Sequence, residues 1–523
     1  MTAATTDPWQ RAIDAERRGG ENVELVIGVV TPVGTNTSEF IDKIRGALAE
    51  WHYTTSLIKL SDHFGSESQA DELEDARVNR LIDAGNNWCK VHDSSSGVAP
   101  LAVELIRSER ISQHIARCRN LNAPGAEPVE RHAYVLHSLK RPGEINLLRW
   151  VYGERFVVIG TQQPINERIQ ILADRLRGHP AWTEAQRRAR AVALIERDAS
   201  ETNRFGQDLA KAYQYCDIFV DTDEDLDRAV AVLFGDCRVA PTGAEHAMFA
   251  AWSTAARSLT SSRRVGAAIV RDGSILALGM NEVPSIARLT PDSVMGYDYS
   301  EQSKRDLASG TFAYLAKAEI ETRDSQASRP EALGWIAPDK VDLYESDQDK
   351  FLADAAQALR DSPLANIIEF QRPVHAEMWA LMDAARRGVS VDGAEMYCTT
   401  YPCHLCWKHV FACGVKMQYY IDIYPKSLAS SMYNSTESML KPYIGIAPTC
   451  FIRFFQDRTF PKADSAGAYP APIKDAANPL ARTVDFTTSD LRETSVIAAL
   501  ELQRNKLRKP QSKKEEFPDG AAE

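Results

Sequence analysis

His375-Ala376-Glu377, followed by Pro402-Cys403-His404-Leu405-Cys406, decides how this chain folds. The two stretches offer one imidazole and two thiols as metal ligands and leave a carboxylate over. Three such ligands suit a zinc ion with an open fourth position, whereas a structural site closes that position with another Cys or His. An ion held in this way brings the pKa of water towards neutrality, and Glu377 is placed to move the proton. A lone His or a lone Cys-x-x-Cys carries little weight; the ordered set, with Pro402 before the first cysteine, carries much more. Cys398 offers the alternative of a closed, four-ligand structural site. Thr399-Thr400-Tyr401-Pro402 separates it from the cysteine pair, however, and Glu377 would then have no role.

The surrounding pattern tells how the ligands are presented. Residues 376–387 read as a helix with Met378, Leu381, Met382 and Ala385 on its apolar face, ended by Gly388. Residues 395–399 read as a short buried strand, and Pro402 opens a second helix carrying Cys403 and Cys406 on one side. Both ligand clusters then lie at helix N-termini, where the dipole and exposed N–H groups favour thiolate. His404 and His409 read as helix-surface residues, and Cys413 as a small core side chain. Upstream, 262–270 and 274–284 read as a hairpin turning at Asp272-Gly273, its second strand ending at Asn281.

The H-x-E…P-C-x-x-C order is the signature of zinc-dependent nucleobase deaminases. With Val265-Gly266-Ala267-Ala268-Ile269-Val270, the Asp272-Gly273 turn and Asn281-Glu282-Val283-Pro284, the stretch resembles the deoxycytidylate deaminase family. Met280 stands where that family has an aromatic residue, and Glu282-Val283 replaces a small residue and its neighbour. The resemblance implies a cytidine-deaminase-like three-layer α/β/α domain. It implies Zn2+ held by His375, Cys403 and Cys406, with Glu377 as the catalytic proton shuttle. It also implies that Asn281 bonds the nucleotide sugar or its neighbouring phosphate and that Thr399 and Tyr401 line the base pocket. A turn role is the alternative for Asn281. Lys426, after a strand at 418–423, is a candidate phosphate contact, with an ordinary surface lysine as the alternative.

At 523 residues the chain has room for two domains, each with its own core. Its 61 basic and 72 acidic residues give a net charge of −11, which argues against a broad electrostatic footprint for duplex nucleic acid. No apolar run reaches membrane-spanning length, and residues 1–22 lack the apolar segment of a secretion signal. Nine cysteines without regular disulfide spacing suit a reducing cytoplasm.

The first half is organised differently. Residues 24–30 read as a buried strand, 31–38 as a loop and 39–51 as an amphipathic helix. Against the phosphate-loop pattern G-x-x-x-x-G-K-[ST], Thr31 and Asn36 stand at the glycines, Thr37 at the lysine and Ser38 at the hydroxyl. Without the lysine, turnover of a nucleoside triphosphate is not expected. The N–H groups of Gly34, Thr35, Asn36, Thr37 and Ser38 can still cradle a phosphate; a loop with no ligand is the alternative. Strands at 132–140, 155–161 and 216–221, with helices at 143–151, 165–177 and 226–234, suit a parallel sheet.

The expected order is an extension at 1–22, a P-loop nucleotide-kinase-like domain at 23–234, a linker at 235–243 and a deaminase domain at 244–462. An insertion at about 285–372 interrupts the last of these, with helices at 301–320 and 347–360 that form a lid, a subunit contact or a partner surface. A C-terminal helix and a disordered tail occupy 463–523. This pairing of domains resembles the bacterial antiphage deoxycytidine-nucleotide deaminases. That resemblance implies conversion of dCTP and dCMP to uracil nucleotides during infection, a regulatory deoxynucleotide at the P-loop domain, an inhibitory small RNA and a homo-oligomer. Two alternatives are a deaminase of RNA or single-stranded DNA bases and a binding protein with an inert zinc site.

Overall fold

Strand β1 (Leu25–Val30) is buried along its whole length, as expected of a strand with neighbours on both sides and helices on both faces. The computed structural model describes residues 24–64, 72–118, 128–178, 181–201, 203–221, 223–260, 263–284, 292–324, 337–359, 370–423, 427–433, 438–456, 479–480 and 486–508. Beside β1 lie β3 (His132–His137) and β4 (Phe156–Thr161), both parallel to it, and β2 (Thr54–Lys59) and β5 (Ile218–Val220) extend the sheet in the same sense. The resulting order is β5-β4-β1-β3-β2. The helix Thr37–Ala49 follows β1 directly, so Thr37 and Ser38 form its first turn and are not loop residues. It buries Ile41, Ile44 and Leu48 against Leu25, Ile27 and Val29.

The second sheet begins with the expected hairpin. Strands β6 (Gly266–Arg271) and β7 (Ser274–Met280) are joined at Asp272 and Gly273, whose φ angles of 52° and 74° are those of a tight hairpin turn. β8 (Glu395–Thr400) pairs antiparallel with β6, and β9 (Met417–Asp422) and β10 (Leu440–Pro442) complete the order β10-β9-β8-β6-β7. Two glycines set the spacing of the layers. A Cβ at Gly266 would lie 1.9 Å from the Ala251 carbonyl oxygen, and one at Gly279 would lie 2.0 Å from that of Ala376. The two residues face opposite sides of the sheet, so a helix rests directly on each side.

The helix Ala376–Arg386 buries Ala376, Glu377, Ala380, Leu381 and Ala384. The expected apolar face is therefore rotated: Met382 is 53% exposed, and alanines form the contact because only short side chains fit so close to β7. Cys413, expected in the core, is exposed at the end of the following helix.

The chain then returns to the first sheet. β11 (Gly445–Ile446) pairs antiparallel with Phe219 and Ile218, so the chain leaves the second sheet only after β10. The chain divides accordingly into Met1–Phe249, Ile421–Ile423 and Lys441–Glu523 as one unit, and Ala250–Tyr420 with Tyr424–Leu440 as the other. This differs from the expected limits at 234 and 462, because a two-residue strand carries no hydrophobic pattern to read. Within the insertion, helices Tyr299–Asp324, Pro338–Ser346 and Gln348–Leu359 share a small core of Ala316, Val341 and Phe351. The extension at 1–22 and the tail after 508 lie outside the described residues.

A charged cluster anchors the C-terminal helix Phe486–Arg508 to the first unit. The Arg110 guanidinium donates to both oxygens of Glu24 and both of Glu493, at 2.7–2.9 Å, with none of the three more than 1% exposed. Arg155 donates to Ser489 on the same helix at 2.6 Å. Arg110→Met should lower stability by about 3–5 kcal/mol in urea denaturation, since it leaves two buried carboxylates without their shared partner. Gly279→Ala should cost about 1–3 kcal/mol, because the added methyl must push the Ala376–Arg386 helix off β7; an unchanged melting temperature would contradict the close approach.

Candidate active site

The His375 and cysteine helices start side by side. His375 is the residue immediately before the Ala376–Arg386 helix, and Cys403 holds the same position before His404–Ala412. The Cys403 sulfur accepts from the Cys406 backbone N–H at 3.3 Å, so the first ligand also caps the helix that carries the second. His375 Nδ1 lies 3.4 Å from Cys403 Sγ and 3.3 Å from Cys406 Sγ. All three donor atoms fall within 4.8 Å of one another, and among the described residues this group is complete without Cys398. One nitrogen and two sulfurs form a soft donor set suited to zinc, and three donors leave a tetrahedral ion one position free.

The electrostatics agree with that donor set. Cys403 is pulled well below the usual thiol range by the Cys406 thiol and by His375, against the opposing effect of burial. Burial lowers the basicity of His375, but the hydrogen bond and charge of Cys403 and the charge of Glu377 outweigh it, and the net shift is upward. The imidazole and the two sulfurs thus face one point, in the place where a cation fits. Glu377 is 5% exposed. Burial, reinforced by the Cys403 charge, raises its pKa to about 7, and His375 and the Cys406 hydrogen bond counter this only in part. A carboxyl poised there exchanges protons readily at neutral pH.

The other expected residues fall in several places. Asn281 and Thr399 come together at one end of the sheet: Val265 N–H donates to Asn281 Oδ1 at 2.7 Å, and Gly266 N–H donates to Thr399 Oγ1 at 3.2 Å. Asn281 Nδ2 also donates to the Arg263 carbonyl at 2.6 Å. Both side chains therefore brace the start of β6. Tyr401 packs edge-on against Tyr420, with ring centroids 4.9 Å apart, beside the hydrophobic core. Lys426 lies outside the described residues. One contact has no counterpart in the motif reading: Gln371 Oε1 lies 2.5 Å from His375 Nε2. Its only signal in the sequence is a polar residue four positions before the histidine.

Residues 31–38 of the first unit, a loop to Asn36 and the first helical turn after it, are held from behind. Gly34 has φ +93°, and a Cβ there would meet the Arg168 carbonyl at 2.8 Å. Val33 N–H donates to Asp198 at 2.8 Å, and Arg168 donates to the Val33 carbonyl at 3.0 Å. Thr37 Oγ1 lies 3.5 Å from Thr31 Oγ1, Asn36 donates to Glu39 at 2.6 Å, the Thr35 carbonyl accepts from Arg175, and Ser38 is exposed. Lys140, arriving from the end of β3, donates to the Thr31 carbonyl and to Asp198, each at 2.8 Å. The motif reading missed this lysine because it comes from a distant strand, and its charge is committed to Asp198.

Residues 241–421 match the family model for the cytidine and deoxycytidylate deaminase zinc-binding region. The chain is 45% identical over 53 residues to ComE operon protein 2 of Bacillus subtilis (strain 168), covering 10% of this chain and 28% of that protein. It is 27% identical over 177 residues to the deoxycytidylate deaminase of Enterobacteria phage T4, covering 34% of this chain and 76% of that enzyme. The structure of dCMP deaminase from the cyanophage S-TIM5 in apo form shares 20% identity, covering 38% of this chain and 95% of that one, with a TM-score of 0.20. This chain thus spans under a third of the first relative and three quarters of the second. Residues 241–421, with their His375, Cys403 and Cys406 group, carry the zinc-binding region of the cytidine and deoxycytidylate deaminase family.

Proposed function

We propose that the chain is a zinc-dependent hydrolase that deaminates deoxycytidine nucleotides, converting dCTP and dCMP to dUTP and dUMP. The observation that carries this reading is a buried carboxyl with a pKa near 7 beside one imidazole and two thiols. His375, Cys403 and Cys406 hold the zinc ion, which supplies the Lewis acidity that makes water a nucleophile at neutral pH. Glu377 takes a proton from the attacking water and delivers it to N3 of the cytosine ring. It then takes the remaining proton from the hydroxyl now on C4 and passes it to the departing amino group, so that ammonia leaves as the C4–N bond breaks and the C4 carbonyl forms. Asn281 and Thr399 brace the start of β6 beside the base, Tyr401 stands in the pocket wall and Lys426 is the candidate contact for the phosphates.

The first unit is the sensor in this reading. The loop before the Thr37–Ala49 helix lies at the carboxyl end of β1, between β3 and β4, where open α/β sheets take their ligands. A deoxynucleotide there would gate the deaminase without being turned over, since Lys140 is committed to Asp198. Depletion of the cytosine nucleotide pool in antiphage defence, restraint by a small RNA and assembly into a homo-oligomer rest on the resemblance of the two-part organisation. Among the described residues, no helix is long and apolar enough to cross a membrane.

Incubation with dCTP, dCMP and single-stranded oligonucleotides, analysed by chromatography, should yield uracil product from the mononucleotides alone. Product from the oligonucleotides alone would replace this reading with nucleic-acid editing. Glu377→Gln should lower kcat by on the order of 10²–10⁴-fold while zinc content stays at the wild-type level. The same substitution has a stability signature in zinc-free protein. Because the folded-state pKa of Glu377 is raised from 4.5 to about 7, the folded protein holds the extra proton between those values and loses stability as pH rises through them. Glu377→Gln should therefore exceed wild type in stability at pH 8, by up to about 3 kcal/mol, with the gap closing towards pH 4.

A further inference from the structure

We propose that Gln371 is a positioning residue of the metal site: its carboxamide oxygen fixes the ring and tautomer of His375 so that Nδ1 faces the ion. The inference rests on the zinc reading above and extends it to a residue outside the H-x-E and P-C-x-x-C motifs.

The two nitrogens of His375 face different partners. Nδ1 faces the Cys403 and Cys406 sulfurs at 3.4 and 3.3 Å, whereas Nε2 faces Gln371 Oε1 at 2.5 Å. A carbonyl oxygen only accepts, so the hydrogen of the neutral ring stays on Nε2 and the lone pair stays on Nδ1. That tautomer is the one a metal needs at Nδ1. Without an acceptor at Nε2, the other tautomer competes, and the ring is free to turn about its last torsion. Groups that hold the far nitrogen of a metal-bound histidine in this way typically change metal affinity by about 10–100-fold when removed.

Gln371 is itself held in place, although its side chain is exposed. On one side, Val374 and Glu282 exchange backbone hydrogen bonds at 2.9 and 3.2 Å, which ties the approach to His375 to the end of β7. On the other, the Arg372 guanidinium stacks over the Tyr299 ring, 4.9 Å from its centroid, and donates to the Met295 sulfur at 3.5 Å. Tyr299 begins the long helix of the insertion. The segment 371–374 is thus clamped between β7 and the insertion, with the carboxamide aimed at the imidazole. This gives the insertion a definite task at the site: it sets the position of the residue that orients a ligand.

The test is zinc affinity of the full-length protein, measured by competition with a chromophoric chelator at fixed pH, beside the absorption spectrum of the cobalt(II)-loaded protein. Gln371→Met should weaken zinc binding by about 10–100-fold and alter the cobalt spectrum. Gln371→Glu, which restores an acceptor, should recover both, and melting of the metal-free proteins should be unchanged because the side chain is exposed. Gln371→Ala serves as a second acceptor-free variant with the same expected loss. Wild-type zinc affinity in the Met and Ala variants overturns the proposal, as does an equal loss in the Glu variant. Cys403→Ala separates this from the underlying reading. If Cys403→Ala loses zinc while Gln371→Met keeps it, only the role of Gln371 falls; if Cys403→Ala binds as wild type does, the metal site itself is misassigned.

Discussion

With no side chain at Gly279, the Ala376 carbonyl can rest against β7, and the helix that begins there comes to lie directly on the sheet. The geometry of the site descends from that approach. His375 sits at the mouth of the helix and Glu377 in its first turn, so the depth at which the helix lies sets how far the imidazole reaches and how dry the carboxyl becomes. The buried alanines of the helix serve the same end, since a larger residue at Ala380 would lift it. Burial then does the chemical work: with water excluded, a carboxylate that would titrate near 4.5 is raised to about 7, within reach of both protonation states at neutral pH.

The cysteine helix meets the same constraint with a different device. Cys403 stands outside the helix and turns its sulfur back onto the Cys406 amide, which supplies the helix with a cap and the sulfur with a hydrogen bond that favours thiolate. One residue thus links local helix formation to metal affinity. The grouping of His375, Cys403 and Cys406 is the counterpart of this arrangement: the donors are already held at distances a cation would bridge, so little rearrangement accompanies binding.

In the first unit, charge is buried for anchorage. Arg110 joins Glu24, the residue before β1, to the C-terminal helix through Glu493, and Lys140 joins the Thr31 end of the following loop to Asp198. Each pairing spans a long sequence separation and holds together segments far apart in the chain. The loop gains a fixed shape by this means, and its cation is spent internally.

The amino-acid sequence by itself determined the hairpin at Asp272-Gly273, the helices that follow His375 and Pro402, the strand-loop-helix start of the first unit and the identity of the three metal donors. Each is written in local pattern: turn residues, periodicity, and ligand types at short spacing. Only the tertiary structure decided which face of the His375 helix is buried, because the closeness imposed by Gly279 favours alanine over the larger Met378 and Met382. It also decided the recruitment of Gln371, Lys140 and Glu493, and the return of residues 445–446 to the first sheet. Lys140, Glu493 and residues 445–446 depend on contacts between residues far apart in the chain, whereas Gln371 lies only four positions from His375 but belongs to no motif that marks it.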